Sequence, residues 1–403
     1  MVRKSIAVRV TKDALRNIRK GHPWVFENSI VSLSQEGDPG DIAVIFDERK
    51  RFAAVGLFDP FSMIRIKILQ HGTSATIDEE WFKEKINNAY KIREDSIPAQ
   101  TNGFRLIYGE NDGFPGLIVD IYGDSVVVKI YSLCWITYLE ILSGLIAQTV
   151  KTKRIVLRMS RQCSKETEFL QDYKDGMVIY GQELDGSVIF CENGINFYSD
   201  LQKGQKTGFF LDQRDNRSNV EKLAQGKNVL NVFSYSGGFS LYAARGGAQS
   251  VTSIDISPYA VEAIAQNITI NSDDERISTC KFRDLTGDAF ETMETLIKND
   301  EKFELVIIDP PSFAKSQKHR DKALKAYAKL IRLGLRLVAK KGILVMASCS
   351  SRIKADEFAD LIENTAKKEA VRLNLFKMTG HAFDHPVTIP EAQYLKCAYC
   401  GIT

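Results

Sequence analysis

A strand, a glycine turn and a helix follow one another over residues 228–240, and this succession constrains the fold more than any other feature. The apolar segment Asn228–Val232 enters the turn SYSGGFS, in which Gly237 and Gly238 permit tight geometry and close approach of a ligand. Helical segments separate it from later apolar strands predicted at 250–255, 305–309 and 342–348. This alternation predicts an α/β fold with a parallel, doubly wound sheet.

Two smaller modules precede this sheet in the 403-residue chain. Residues 1–73 alternate short apolar runs with turns, as in MIRIKIL at 63–69, which is typical of a small β module. The following region mixes strands with helices, including an apolar helix predicted over 136–150, and is expected to be an α+β module. We therefore expect three domains, spanning 1–73, 74–190 and 191–403.

The composition is that of a soluble globular protein, with 44% hydrophobic and 26% charged residues. The longest apolar runs, such as 305–308, are shorter than the roughly 20 residues that cross a bilayer, and the N-terminus has no signal-peptide pattern. The seven cysteines have no disulfide framework spacing, and Cys397 and Cys400 are expected in a strand rather than at a zinc ion. We expect a cytoplasmic protein without a metal site.

Basic residues are concentrated in two segments although the net charge is only +3. Residues 1–33 carry seven Lys or Arg against two acids, and residues 315–341 carry ten against one. Two such clusters favour contact with a polyanion at two places. Solvated helix faces are the alternative.

An acidic residue, Asp255, ends the second strand 17 residues after Gly238, where it can bind both hydroxyls of a ribose. The turn lacks the GxGxxG pattern that cradles pyrophosphate, so it suits S-adenosylmethionine better than NAD. Phe233 and Tyr235 belong to the same turn and, with Gly237 and Gly238, are assigned to this cofactor. A purely structural glycine turn is the alternative.

Two more acids follow strands at the edge where such sheets bind ligands. Asp288 comes after the third strand and can accept a hydrogen bond from an adenine amino group. Asp309 opens the turn DPPSF after the fourth strand, and its consecutive prolines fix the backbone. This stiff turn is expected to present the Asp309 carboxylate to a planar group, next to the cofactor.

A thiol, Cys349, ends the following strand and is expected at the same edge as Asp309. Thiolate attack at C6 of a pyrimidine makes C5 able to accept a methyl group. We therefore assign Cys349 as the nucleophile and Asp309 as the group facing N3 and the exocyclic amine of cytosine. A buried cysteine that only packs is the alternative.

Several motifs in one order resemble the PUA-domain methyltransferases of large-subunit ribosomal RNA that make 5-methylcytosine in 23S rRNA. They are GHPWVF at 21–26, GENDGFPGLIVD at 109–120, GFFLDQRDNR at 208–217, SYSGGFS at 234–240, DPPSF at 309–313, SCS at 348–350 and HP at 385–386. The resemblance spans essentially the whole chain.

The resemblance implies an N-terminal RNA-binding PUA domain, a central α+β domain and a C-terminal Rossmann-like domain that binds S-adenosylmethionine. It also implies that Phe210, Asp212 and Arg214 shape the cofactor pocket, although Asp212 can equally lie near a helix N-cap. The family state that it implies is a homodimer.

The basic clusters then become candidate RNA contacts. These are Arg19, His22 and Trp24 in the N-terminal domain, and Lys315, Lys318 and Arg320 beside the target base. A core position for Trp24 and a structural role for His22 are the alternatives.

The sequence departs from many RNA cytosine-5 methyltransferases, because Pro311 is followed by Ser312 and not by a second cysteine. Guanine methyltransferases of the same RNA share the Asp-Pro-Pro-x-Phe pattern, and the thiol of SCS favours cytosine. A guanine methyltransferase with a structural Cys349 and a non-catalytic RNA-binding assembly protein are the other hypotheses.

Overall fold

The computed structural model describes residues 4–313 and 317–403, which form two compact units. One unit comprises Met1–Asn193, Ser199–Leu211 and Asp384–Ile389, and the other Gly194–Tyr198, Asp212–Phe383 and Pro390–Thr403. Lys315, a predicted RNA contact, lies outside the described residues. The three-domain division at 73 and 190 stays a prediction.

The first unit begins with a six-stranded sheet, which confirms the small β module. Its elements are β1 (Ser5–Val10), α1 (Lys12–Arg19), β2 (Trp24–Phe26), β3 (Ile30–Leu33), β4 (Ile42–Phe46), β5 (Phe52–Phe58) and β6 (Ile64–His71), in the sheet order β2-β6-β5-β4-β1-β3. The sequence reading missed α1, which lies inside the N-terminal basic cluster. Thr11 caps this helix through Ala14 N, and Leu15 and Ile18 are its buried contacts.

The same unit continues with a five-stranded sheet and two helices. Its elements are α2 (Glu79–Glu94), β7 (Gly103–Tyr108), β8 (Leu117–Tyr122), β9 (Ser125–Ile130), α3 (Leu139–Val150), β10 (Arg154–Met159), β11 (Val178–Gly181) and β12 (Val188–Glu192). The sheet order is β11-β10-β9-β8-β7. A 3-10 turn over Leu133–Tyr138 leads directly into α3.

The segment Leu133–Val150 corrects one expectation, because by length and composition it is apolar enough to cross a membrane. Sequence analysis predicts no apolar run of this length. Most of this segment is buried inside the unit, where Trp135, Leu142 and Ile146 belong to its hydrophobic core. Burial in a core explains its apolar composition.

The second unit contains the expected α/β sheet. Its elements are β13 (Ile195–Ser199), α4 (Arg214–Leu223), β14 (Asn228–Val232), α5 (Gly238–Arg245), β15 (Ser250–Asp255), α6 (Pro258–Thr269), α7 (Glu275–Thr279), β16 (Lys281–Thr286), α8 (Ala289–Lys298), β17 (Phe303–Ile308), α9 (Arg320–Leu337), β18 (Val338–Ser348), α10 (Ala355–Lys368), β19 (Leu373–Thr379) and β20 (Lys396–Ile402).

Seven strands form this sheet in the order β16-β15-β14-β17-β18-β20-β19. The five strands from β14 to β18 are parallel where they pair, as predicted, and β20 runs antiparallel to β18 and β19. Cys397 and Cys400 are both buried in β20, as expected for strand residues.

The strand order reverses at β14, which lies between β15 and β17. Open α/β sheets bind ligands beyond the carboxyl ends of the strands at such a reversal. Buried apolar residues on both faces of the sheet hold these strand ends in place. The residues that follow β14 to β18 therefore define the candidate active site.

Candidate active site

The turn after β14 has an uncommon backbone. Phe233 and Tyr235 adopt left-handed conformations with φ of 63° and 48°, and Gly237 has a φ of 81°. Left-handed backbone at a non-glycine residue costs about 1–3 kcal/mol and persists where the surroundings impose it. One such restraint is the Tyr235 N–H, which donates to Asp255 Oδ2 at 2.9 Å. The glycine also approaches α6 closely, since a Cβ at Gly237 would lie 3.1 Å from the side chain of Ile264.

Asp255 is held on both sides by backbone amides. Its Oδ2 accepts from Tyr235 N and its Oδ1 from Ser257 N, each at 2.9 Å. The carboxylate is only half-buried, and each oxygen can accept a further hydrogen bond. This fixed acceptor pair at the end of β15 suits the two hydroxyls of a ribose.

Asp288 begins α8 as its N-cap. Its Oδ1 accepts from the backbone N–H groups of Phe290 at 2.9 Å and Glu291 at 3.2 Å. Capping fixes the side chain at the carboxyl end of β16. Its contact with an adenine amino group stays a prediction.

A buried chain of amides orients Asp309 at the end of β17. Gln213 Nε2 donates to Asp309 Oδ2 at 2.9 Å, and Asn216 Nδ2 donates to Gln213 Oε1 at 2.6 Å. The Thr379 hydroxyl donates to Asn216 Oδ1 at 2.6 Å. Gln213 and Asn216 are 3% or less exposed, so this chain limits the rotation of the Asp309 carboxylate.

The sequence reading missed Gln213 and Asn216. Both lie in the segment GFFLDQRDNR, from which it selected Phe210, Asp212 and Arg214. Their spacing of three residues at a helix start indicates that both side chains lie on one face, but it does not indicate that this face meets Asp309.

The structure gives those three selected residues separate surroundings. Asp212 Oδ2 accepts from the Tyr394 hydroxyl at 2.6 Å, and the buried Arg214 guanidinium lies 4.7 Å from the ring centre of Phe383. The helix α4 begins at Arg214 with Gln213 at the N-cap position. Phe210 belongs to the first unit. Their role at a cofactor stays a prediction.

The Cys349 thiol lies against the turn that Asp309 opens. Cys349 directly follows β18, and its Sγ donates to the carbonyl oxygen of Pro310 across 3.7 Å. Cys349 is partly exposed, and Ser348 before it and Ser350 after it are buried. The geometry therefore brings the predicted nucleophile and the predicted carboxylate to one edge of the sheet.

Cys349 is partly exposed, whereas five other cysteines of the chain are buried. Burial raises the pKa of Cys134, Cys397 and Cys400 to about 12 and that of Cys280 to about 11, and it also raises the pKa of Cys163. These five residues are neutral thiols at physiological pH and unreactive as nucleophiles.

We expect iodoacetamide at pH 8 to modify the folded chain at Cys191 and Cys349, the two partly exposed cysteines. Burial raises the pKa of the five buried thiols and limits access of the reagent, so peptide mass spectrometry is expected to find them unmodified. The same reaction on the unfolded chain, in which all seven cysteines are accessible, is the control. Rapid labelling of Cys397 or Cys400 in the folded chain would contradict the described packing of β20.

The candidate RNA contacts of the N-terminal sheet are partly engaged within their unit. Arg19 pairs with Asp47 at 3.0 Å, and the Trp24 indole N–H donates to Glu110 Oε1 at 2.9 Å. His22 Nδ1 accepts from Trp24 N at 3.3 Å. Trp24 is half-buried, which is intermediate between the predicted RNA contact and the alternative core position.

Of the candidate RNA contacts near α9, one is exposed and one is paired within the unit. Lys318 is exposed, and Arg320 forms an ion pair with Glu357. Further along the helix Lys329 and Arg332 pair with Glu294 and Glu369, each at 2.9 Å. Lysines 318, 322 and 325 are exposed. The first part of the basic segment 315–341 therefore presents positive charge to an external partner.

Comparison with known proteins identifies the family to which the chain belongs. A model of S-adenosylmethionine-dependent methyltransferases matches residues 170–397, and a PUA-like domain matches residues 8–71. A ribosomal RNA large subunit methyltransferase of Deinococcus radiodurans is 40% identical over 399 residues, covering 98% of this chain and 97% of the relative. The chain belongs to the ribosomal RNA large subunit methyltransferase family.

Other similarities agree with this membership. The ribosomal RNA large subunit methyltransferase I of Alteromonas mediterranea is 31% identical, with 96% of both chains covered. A solved methyltransferase from Streptococcus mutans has the same fold, with a TM-score of 0.81, 21% identity and coverage of 98% of this chain and 99% of that one. Another solved methyltransferase, bound to SAH, has a TM-score of 0.82 at 21% identity and the same coverage.

S-adenosylmethionine is therefore the cofactor, as predicted. The described residues fit this group, because the half-buried Asp255 carboxylate is aimed by two backbone amides and the strained turn at Gly237 brings the backbone close. As the sequence predicted, the fold combines a PUA-like N-terminal domain with a methyltransferase α/β sheet.

Replacing Asp255 by alanine is expected to weaken S-adenosylmethionine binding about tenfold to a hundredfold. The variant loses hydrogen bonds to a charged acceptor, each worth about 1.5–3 kcal/mol. Titration calorimetry with the exposed Asp273→Asn as control measures the effect. A Kd that changes less than twofold would remove Asp255 from the ribose site.

Proposed function

We propose that this methyltransferase makes 5-methylcytosine in the 23S RNA of the large ribosomal subunit, through a covalent bond between Cys349 and C6 of the target cytosine. The observation that carries the proposal is the position of the Cys349 thiol against Pro310, within the turn that Asp309 opens. The names of the full-length relatives support large-subunit rRNA as the substrate.

The proposed chemistry begins at the thiol. The Cys349 thiolate adds to C6, forming an S–C bond, and the electron pair of the C5–C6 double bond moves toward C5. When bound, S-adenosylmethionine supplies the electrophilic methyl group that this carbon takes up. A base then removes the proton from C5, the double bond forms again, and the sulfur leaves with its electron pair.

Asp309 acts on the cytosine ring in this proposal. One carboxylate oxygen accepts from Gln213, and the carboxylate can also accept from the exocyclic amine of the base. The carboxyl takes up a proton from solvent, donates it to N3 as the thiolate adds to C6, and takes it back when the sulfur leaves. Negative charge that develops on the ring during attack at C6 is relieved when N3 is hydrogen-bonded or protonated. Gln213 and Asn216 are positioning residues, since they act through Asp309.

The proposed RNA contacts are electrostatic and lie in both units. The exposed Lys318 and the neighbouring lysines of α9 would neutralise phosphates, and Arg19, His22 and Trp24 of the PUA-like domain would add a second contact. Binding is therefore expected to weaken steeply with salt. We further propose that the enzyme works in the cytoplasm, where its RNA is made, and that it forms a homodimer.

Nucleoside mass spectrometry tests the product. Unmodified 23S rRNA, as naked RNA and in assembled subunits, is incubated with the enzyme and S-adenosylmethionine, then digested and analysed. A gain of 5-methylcytidine is expected. A gain of methylguanosine would show a guanine methyltransferase, and no gain on any of these substrates would favour a non-catalytic RNA-binding protein.

A further inference from the structure

A buried lysine lies beside the candidate nucleophile. Lys396 begins β20, is 4% exposed, and stands opposite Ser348 in the antiparallel pairing of β18 with β20. Its ammonium group donates to the carbonyl oxygen of Tyr394 at 2.9 Å and to that of Ser350. The lysine thus contacts the residues on both sides of Cys349, one through strand pairing and one through its Nζ.

An ammonium group in this position is costly unless a negative charge is near. Two carbonyl dipoles satisfy donors of the group but do not neutralise its charge. Burial lowers the pKa of Lys396 to about 8, and the Cys349 thiolate and the Glu357 carboxylate act in the opposite direction. Glu357 already has a cationic partner in Arg320.

Two further titratable groups near Cys349, Asp309 and Tyr327, do not stabilise a thiolate. Asp309 immediately precedes Pro310, whose carbonyl contacts the thiol. The negative charge of the Asp309 carboxylate favours the neutral form of the Cys349 thiol. Tyr327 of α9 is hydrogen-bonded to Ser348 Oγ at 3.0 Å, and burial raises the pKa of its hydroxyl far above the ordinary value. Lys396, in contrast, carries a positive charge on the Ser350 side of Cys349 and opposes the negative charge of Asp309.

We propose that the Lys396 ammonium is the cationic partner of the Cys349 thiolate and a positioning residue for the nucleophile, an inference that rests on the proposed role of Cys349. Loss of the thiol proton leaves a sulfur anion next to a fixed cation, which favours the reactive form. When the sulfur bonds to C6 its negative charge is lost, and elimination restores the ion pair. The lysine therefore favours release of the adduct in a chain that has Ser312 where many RNA cytosine-5 methyltransferases carry a second cysteine.

Alkylation of the full chain by iodoacetamide between pH 5.5 and 9.5, resolved by peptide mass spectrometry, tests this ion pair. The alkylation rate rises with pH as the thiol ionises, and the midpoint is the pH at which the rate is half its maximum. For Cys349 this midpoint is expected to lie below the roughly 8.5 of a free thiol. In Lys396→Met the midpoint is expected to rise by about one pH unit, so that the reaction at pH 7 becomes about tenfold slower. Lys396→Arg keeps the charge and is expected to keep the low midpoint.

Cys191, which is partly exposed in the other unit, is the internal control, and its midpoint should not change in either variant. Melting temperature and S-adenosylmethionine affinity check that the variants are folded. An unchanged Cys349 midpoint in Lys396→Met would overturn the proposal. A wild-type midpoint at or above about 8.5 would overturn it without any variant.

This experiment is independent of the reaction product. A low Cys349 midpoint that depends on Lys396, together with methylguanosine as the product, would refute the proposed cytosine chemistry and leave the ion pair standing. A 5-methylcytidine product with a midpoint independent of Lys396 would refute only the ion pair.

Discussion

Replacing Cys349 by alanine is expected to reduce RNA methylation by at least about a thousandfold, because the variant has no atom to add to C6. The small side chain leaves β18 and its pairing intact, so S-adenosylmethionine affinity should stay within about threefold and the melting temperature should change little. Single-turnover methylation of 23S rRNA fragments with a radiolabelled methyl donor measures the loss.

The matched control is Cys191→Ala, which removes the other partly exposed thiol and is expected to retain full activity. Methylation by Cys349→Ala within about tenfold of the unsubstituted enzyme would rule out covalent catalysis by this residue. It would move the chemistry to the turn at Asp309 and favour a guanine substrate.

Replacing Asp309 by asparagine is expected to lower kcat about a hundredfold, the usual effect of removing one group that stabilises charge in a transition state. The amide has nearly the same shape and can still accept from Gln213 Nε2 through its oxygen. What is lost is the negative charge and the second acceptor facing the base.

The measurement is made at saturating RNA and S-adenosylmethionine, so that weaker binding of either does not enter kcat. Gln213→Leu provides a graded comparison, because it leaves the Asp309 charge and removes the hydrogen bond that orients it. We expect a smaller loss of about tenfold in that variant. Equal activity of Asp309→Asn and the unsubstituted enzyme would show that the carboxylate does not touch the reacting base.

Local sequence patterns were sufficient to locate the strand ends of the site. Asp255, Asp288, Asp309 and Cys349 each follow an apolar strand, and hydrophobic runs bounded by glycine or proline mark such ends. The carboxyl ends of parallel strands lie at one edge of a sheet, so the position of these four residues directly after strands predicted that they lie at this edge.

The residues that act on the site from a distance along the chain were not predictable in this way. Gln213 reaches Asp309 across 96 positions, and Lys396 reaches the carbonyl of Ser350 across 46. Neither contact has a local signature, since a glutamine in a polar helix start and a lysine in a strand are ordinary on their own. The antiparallel strand β20, which brings Lys396 to this edge, is set by pairing with β18 and β19.

The missed helix α1 has a related cause. Half of its eight residues are charged, and its apolar face consists of only two buried side chains, Leu15 and Ile18. The same basic residues were interpreted only as a charge cluster. Packing of two side chains on the sheet, together with the Thr11 cap, stabilises this helix.

Trapping the covalent complex tests the central claim most directly. RNA that carries 5-fluorocytidine at the target position is incubated with the enzyme and S-adenosylmethionine, digested with protease and nuclease, and analysed by mass spectrometry. Fluorine cannot leave C5 as a proton does, so we expect a stable nucleotide adduct on the peptide that contains Cys349, formed only with the methyl donor present. Efficient methylation of ordinary RNA with no trapped adduct, or an adduct on any other residue, would contradict the account.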